Sequence, residues 1–189
     1  MKNKWKWSFF ALAAVIVIVI IVIASLIFSG GEKDFDKAEQ TGGSLAGKKL
    51  FTIHTGKEQA AFLMNKQIEE QKNLDLKVKL TNQMKLFGRV DVFGREVIYQ
   101  MSLAPEVLPN GDLALHEKNV QVGRLNLPGE QVLNLVSNSV DLPKWVKVYP
   151  QKEMIHVQLT KMNIKKHIKV KAKEVDLPHN NISIDVFGK

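Results

Sequence analysis

Five histidines, His54, His116, His156, His167 and His179, are the side chains here that would exchange protons near neutral pH. None has a second histidine at a metal-binding spacing. His116-Glu117 opens a His-Glu-x-x-His pattern, but Val120 stands where the second ligand belongs. The sequence holds no cysteine, which removes thiolate nucleophiles, Cys-rich zinc sites, disulfides and the acylated Cys of a lipoprotein. There is no Gly-x-Ser-x-Gly elbow, no P-loop, and no Gly-x-Gly-x-x-Gly after a strand. The carboxylates Asp91, Glu96, Glu106, Asp112 and Glu117 are scattered through strands and turns, where only cross-strand pairing could unite two of them. Each histidine reads as solvated or hydrogen-bonded, with His156 on the polar side of its strand. The expectation is a protein that is not an enzyme and needs no cofactor and no metal.

Two features remain as candidates for function, and both are carried by strands. The first is a long series of one-sided strands. Leu74, Leu76, Val78 and Leu80 alternate with polar residues; Met84, Leu86, Val90 and Val92 follow on even positions, then Val97, Tyr99, Met101 and Leu103 on odd ones. Period-two alternation predicts an antiparallel sheet with one dry face. The second is Lys161, Lys165, Lys166, Lys169, Lys171 and Lys173. From Ile168 the lysines alternate with Val170 and Ala172, which predicts a basic stripe on a wet face. Such a stripe suits anionic headgroups; lysines on an edge strand also deter aggregation.

The elements that position these residues follow from period and punctuation. A short strand at Leu50–Ile53 precedes a helix from Lys57 to Gln71, with Thr55 and Glu58 spaced as a capping box. Gly88 and Gly94 mark bends or turns, and Asn110-Gly111 is the strongest hairpin signal. Leu113, Leu115, Val120 and Val122 extend the sheet. A second helix starts at Pro128-Gly129-Glu130 and ends by Asp141-Leu142-Pro143. Four strands close the chain: Trp145 to Tyr149, Met154 to Leu159, Ile168 to Lys173 and Ile182 to Phe187. The fold class is α+β: a curled antiparallel sheet of about eight strands packed on two helices.

An N-terminal transmembrane helix precedes this domain. Phe9 to Phe28 contains no charge, no proline and no glycine. As a helix, twenty residues span about 30 Å, the thickness of a bilayer's apolar core. Residues 1–8 form a basic cytoplasmic start, with Lys2, Lys4 and Lys6 beside the interfacial Trp5 and Trp7. Residues 29–48 read as a glycine-rich tether, and 49–189 as the extracytoplasmic domain. The positive-inside rule gives this single-pass orientation in the cell membrane. The run is longer than a signal peptide's and lacks a good cleavage site, so the anchor is expected to stay. Net charge is +8, and +5 without Lys2, Lys4 and Lys6. Outside a membrane that charge points to anionic lipid or envelope polymer, with no nucleic acid partner.

The Lys/Trp-rich start and apolar span are joined by Val90-Asp91-Val92-Phe93-Gly94, Pro109-Asn110-Gly111-Asp112-Leu113, Val122-Gly123-Arg124-Leu125-Asn126-Leu127-Pro128 and Trp145-Val146. Together these resemble the YpmS-like family of Gram-positive bacteria, single-span membrane proteins, over almost the whole chain. The order of elements is also similar to tubular lipid-binding-like domains, in which a curled sheet wraps a helix and holds acyl chains. These resemblances carry over no catalytic residue. They imply a lipid or lipid-linked ligand, with Leu76, Val78, Leu80, Met84, Leu86, Val90, Val92, Tyr99 and Met101 lining an apolar interior. Lys165, Lys166, Lys169, Lys171 and Lys173 would then meet anionic headgroups. The alternative is an interaction module that scaffolds an envelope protein or hydrolase.

Overall fold

Alternation of apolar and polar residues builds ten strands, among the residues described, and two α-helices complete them. The computed structural model describes residues 47–69, 75–92, 95–139, 142–162 and 168–188. The expected span at 9–28, nearly all of the tether, and Lys165 and Lys166 lie outside these residues, as do the side chains of Val90 and Val92. Among the described residues no helix is long and apolar enough to cross a membrane.

In chain order the elements are β1 (Lys48–Thr55), α1 (Lys57–Glu69), β2 (Leu76–Leu80), β3 (Met84–Val92), β4 (Arg95–Val107) and β5 (Leu113–Val122). Then come β6 (Leu125–Leu127), α2 (Gly129–Ser139), β7 (Val146–Tyr149), β8 (Met154–Val157), β9 (Ile168–Asp176) and β10 (Asn181–Gly188). The expected single sheet of about eight strands is instead two sheets, both antiparallel. One has the order β1-β10-β9; the other runs β2-β3-β4-β5-β8-β7, with β6 also paired to β5. The first and last strands of the chain thus meet each other and leave the larger sheet.

Register turns the sequence alternation into rows across the large sheet. Val78, Leu86, Met101, Val120 and Leu127 are successive cross-strand neighbours, as are Leu80, Met84 and Leu103. Cross-strand neighbours share a face, so these rows form one apolar surface. The change from odd Leu113 and Leu115 to even Val120 and Val122 has a cause in the same ladder. Ser102 pairs with Asn119 but Leu103 pairs with Glu117, which leaves Lys118 as a bulge and flips the parity of β5. Gly88 is not a bend: it lies within β3 opposite Tyr99, and a Cβ there would collide with the Tyr99 ring. The glycine is a seat for that ring.

The helices cover one face. Ala60 of α1 and Leu133 of α2 are buried in a core shared with Val78, Leu80, Met84, Met101, Leu103 and Val120. Asn65 fixes α1 to the sheet edge: its Oδ1 accepts from Val78 N at 2.7 Å and its Nδ2 donates to Val78 O at 2.8 Å. A side-chain amide so occupies the backbone groups of edge strand β2, which an exposed edge would otherwise offer to another chain. The start of α1 differs from the expected capping box. Ala60 N donates to Gly56 O at 3.0 Å, so Thr55 lies one residue too early. The first turn is capped instead from the β9–β10 turn, where Asn180 Oδ1 accepts from Lys57 N at 2.7 Å.

Candidate functional site

Of the predicted apolar interior, Leu76, Val78, Leu80, Met84, Leu86, Tyr99 and Met101 fall in adjacent rows on one sheet face, graded in burial. Val78, Leu80, Met84 and Met101 are buried in the shared core, and Leu86 packs against it partly buried. The next row outward is Leu76, Gly88, Tyr99, Val122 and Leu125. Leu76, Tyr99 and Val122 are half-buried, and Leu125 is 68% exposed. Val90 pairs with Val97 and Val92 with Arg95 further along the same two strands. The face therefore emerges from under the helices as it runs toward the β5–β6 turn. Burial, and secondarily the Asp75 charge, pushes the Tyr99 phenol above its ordinary pKa, so it remains a neutral hydroxyl on this face at neutral pH.

Strand β6 was not among the expected elements. Val122 pairs with Leu125 across the two-residue turn Gly123-Arg124, with Gly123 at φ +61°. The signal was present, since a Gly-x pair between alternating apolar residues is a hairpin pattern.

The lysine stripe is only partly a wet face. Lys169 and Lys171 lie opposite Phe187 and Asp185, and both are half-buried. Lys171 Nζ stands 5.8 Å from the centre of the Phe187 ring, a cation–π distance. Lys173 leaves the alternation, because Ser183 pairs with Glu174 while Ile184 pairs with Ala172; it is exposed in a bulge. Lys49 Nζ sits 2.7 Å from Asp185, and this contact, with a hydrogen bond from Thr52, holds the Asp185 carboxyl below the ordinary range.

The densest polar constellation was not legible as one. Asp112 and His156 are buried, and His156 Nε2 stands 3.2 Å from Asp112 Oδ2. Of the two readings for His156, solvated or hydrogen-bonded, the structure has the second: β8 is covered on both sides, and His156 is buried opposite Ala114 with Asp112 as its partner. Asn110 Nδ2 also donates to Oδ2, at 2.9 Å, while Thr160 N and Oγ1 donate to Oδ1 at 2.9 and 2.8 Å. Burial alone would raise the Asp112 pKa; the hydrogen bonds from His156 and Thr160 outweigh it, and the carboxyl is held below its ordinary value. A substrate cannot reach a carboxylate so enclosed. The constellation is a structural knot joining the β4–β5 turn, β8 and the Leu159–Lys161 turn.

The turn that carries Asp112 is also different from the expected two-residue form. Leu108 N donates to Asp112 O, and Gly111 N to Leu108 O, enclosing Pro109, Asn110 and Gly111. Only Gly111 has positive φ, at +88°, the pattern of a three-residue loop with its left-handed residue last. Gly111 O accepts from Ala172 N at 2.8 Å, which pins the turn to the edge of β9. A Cβ on Gly111 would stand 2.7 Å from Lys171 Cβ. Gly111→Val therefore combines backbone strain with collision, and a loss above ~1 kcal/mol is expected in chemical denaturation.

Among the scattered carboxylates, Asp91 and Glu96 are cross-strand partners in β3 and β4, and Glu117 feels the charge of Glu153. The Glu117 pKa is raised, first by burial and then by the charge of Glu153. Among the described residues no cluster of three or more His, Cys, Asp or Glu has metal-holding geometry.

The turn motif Pro109–Leu113 and the hairpin motif Val122–Pro128 thus have definite places in the fold. A family model described as "Uncharacterized protein conserved in bacteria (DUF2140)" matches residues 3–188. The chain belongs to this family. It is also similar to the protein of Bacillus subtilis (strain 168) named "Uncharacterized protein YpmS". The two are 27% identical over 191 positions, covering 98% of this chain and 97% of that protein. No solved structure matches. In this DUF2140 chain the Pro109–Leu113 segment is a turn and Val122–Leu127 a hairpin.

Proposed function

We propose that this protein is a non-enzymatic, membrane-anchored domain that binds a lipid or lipid-linked envelope molecule outside the cell membrane. One observation carries the reading: the apolar face of the large sheet continues beyond its helical cover to Leu125 and Leu127, which are exposed. An acyl chain lying along Leu76, Tyr99, Val122 and Leu125 would complete that cover, because apolar surface leaves water at about 25 cal/mol per Å². The large sheet curls over the acyl chain in this reading, beside the part of the face that α1 and α2 cover. The apolar run from Phe9 to Phe28 supplies the anchor and keeps the face at high effective concentration near its ligand.

Native mass spectrometry of the full chain, released gently from membranes, tests the reading. The expected result is a lipid-sized adduct at one per chain. A bare chain that brings down a stoichiometric envelope protein would overturn it in favour of the scaffold alternative.

A further inference from the structure

Strand β1 is an edge strand with an unusual surface. Leu50 and Phe51 are each 54% exposed and Ile53 is 45% exposed, although alternation should have sent Leu50 and Phe51 to opposite faces. A bulge unites them. Lys49 pairs with Phe187 and Phe51 with Val186, so Leu50 is the extra residue. A Cβ on Gly188 would stand 3.1 Å from Leu50 Cδ1, which places Leu50 on the face of Gly188 and Val186. Phe51 lies opposite Val186 and Ile53 opposite Ile184, on that same face, and Lys48 lies opposite Gly188; Val186 is itself buried, so the three apolar side chains are the open margin, at β1, of a face that is covered at β10 and β9. The strand thus presents three large apolar side chains and an exposed lysine together. The acidic residue nearest in register, Asp185, belongs to the other face, engaged by Lys49 and Thr52.

We infer that this face of β1 docks onto an anionic bilayer surface and sets the orientation of the domain on the membrane. The inference rests on the membrane-anchored reading above. Position in the chain names the occupant. Nineteen residues separate Phe28 from Lys48, so β1 follows the apolar run closely along the chain. Among the described residues, β1 is the first strand after that run. Its composition fits the interface: apolar side chains enter the headgroup boundary, and Lys48 meets lipid phosphate, as in other surface-bound elements. A bulge that points two adjacent apolar residues at solvent weakens the soluble domain unless that solvent is replaced by lipid.

The absence of native cysteine makes the test direct. The full chain carrying Phe51→Cys, labelled with an environment-sensitive fluorophore, is reconstituted into phosphatidylglycerol–phosphatidylcholine vesicles. Ile53→Cys is the second labelled site, and Ile98→Cys, exposed on β4 of the other sheet, is the reference. The expected result is a severalfold emission rise at 51 and 53, quenching there by lipid-borne quenchers, and neither at 98. In vesicles of phosphatidylcholine alone, or with Lys48→Glu, the rise shrinks. If the chain floats with vesicles but positions 51 and 53 are as open to aqueous iodide as position 98, docking is overturned and the anchor survives. A chain that does not float overturns both. Shielding at 51 without response to lipid-borne quencher assigns the face to protein, and also overturns the inference.

Discussion

Asp112→Ala lowers the stability of the domain by more than ~2 kcal/mol at neutral pH, the cost of breaking a buried hydrogen-bond network at its shared acceptor. The substitution strands four donors at once: His156 Nε2, Asn110 Nδ2, and the amide and hydroxyl of Thr160. A buried donor that loses a hydrogen bond to a carboxylate loses part of what offset its desolvation. Three parts of the chain, the turn at 108–112, β8 and the turn at 159–161, lose their common partner together. The effect has a pH signature. The folded-state pKa of Asp112 lies below its ordinary value, so its contribution is fully present above the unfolded carboxyl value of about 3.9 and is lost as pH falls through the folded one. Wild type and Asp112→Ala should therefore differ most at neutral pH and converge in strong acid. Urea midpoints across that range measure it, and a constant difference down to the lowest pH would remove the charge from the account.

Met101→Ala costs roughly 2–5 kcal/mol, the range for truncating a buried aliphatic side chain and leaving a void. Met101 is buried between Leu86 and Val120 in its row, with the core that includes Leu133 against it. Leu86→Ala, at a partly buried position in the same row, should cost less. The pair also separates core from ligand wall. If acyl chains occupy the outer row, Leu125→Ala leaves stability nearly unchanged but reduces the co-purified lipid, while Met101→Ala destabilises without selective lipid loss. Denaturation midpoints and lipid occupancy measured on the same variants decide it. Equal stability losses at 86, 101 and 125, with no lipid in the wild type, would reduce the whole face to dry core.

Local physics made much of this fold readable. Alternation from Leu76 to Leu103 identified which side chains share a face, because side chains on a strand alternate with period two. The rows Val78–Leu86–Met101 and Leu80–Met84–Leu103 follow from that period once the strands pair. Even the bulge at Lys118 was written in the sequence, as a change from odd to even apolar positions. The apolar run at 9–28 belongs to the same class of local signal. What tertiary structure alone decided is which strand lies beside which, and so which polar groups meet. Nothing local pairs β1 with β10, or brings Asp112 to His156 and Thr160, 44 and 48 residues on. Nothing local makes Asn180 the cap of a helix that begins at Lys57. Alternation states that a strand has a dry side; it does not state what covers it. His156 lies on the polar side of its strand and is buried against Asp112, while Phe51 lies in its expected strand and is open, for one reason: burial belongs to the neighbours a residue acquires, and those are set by contacts distant in sequence.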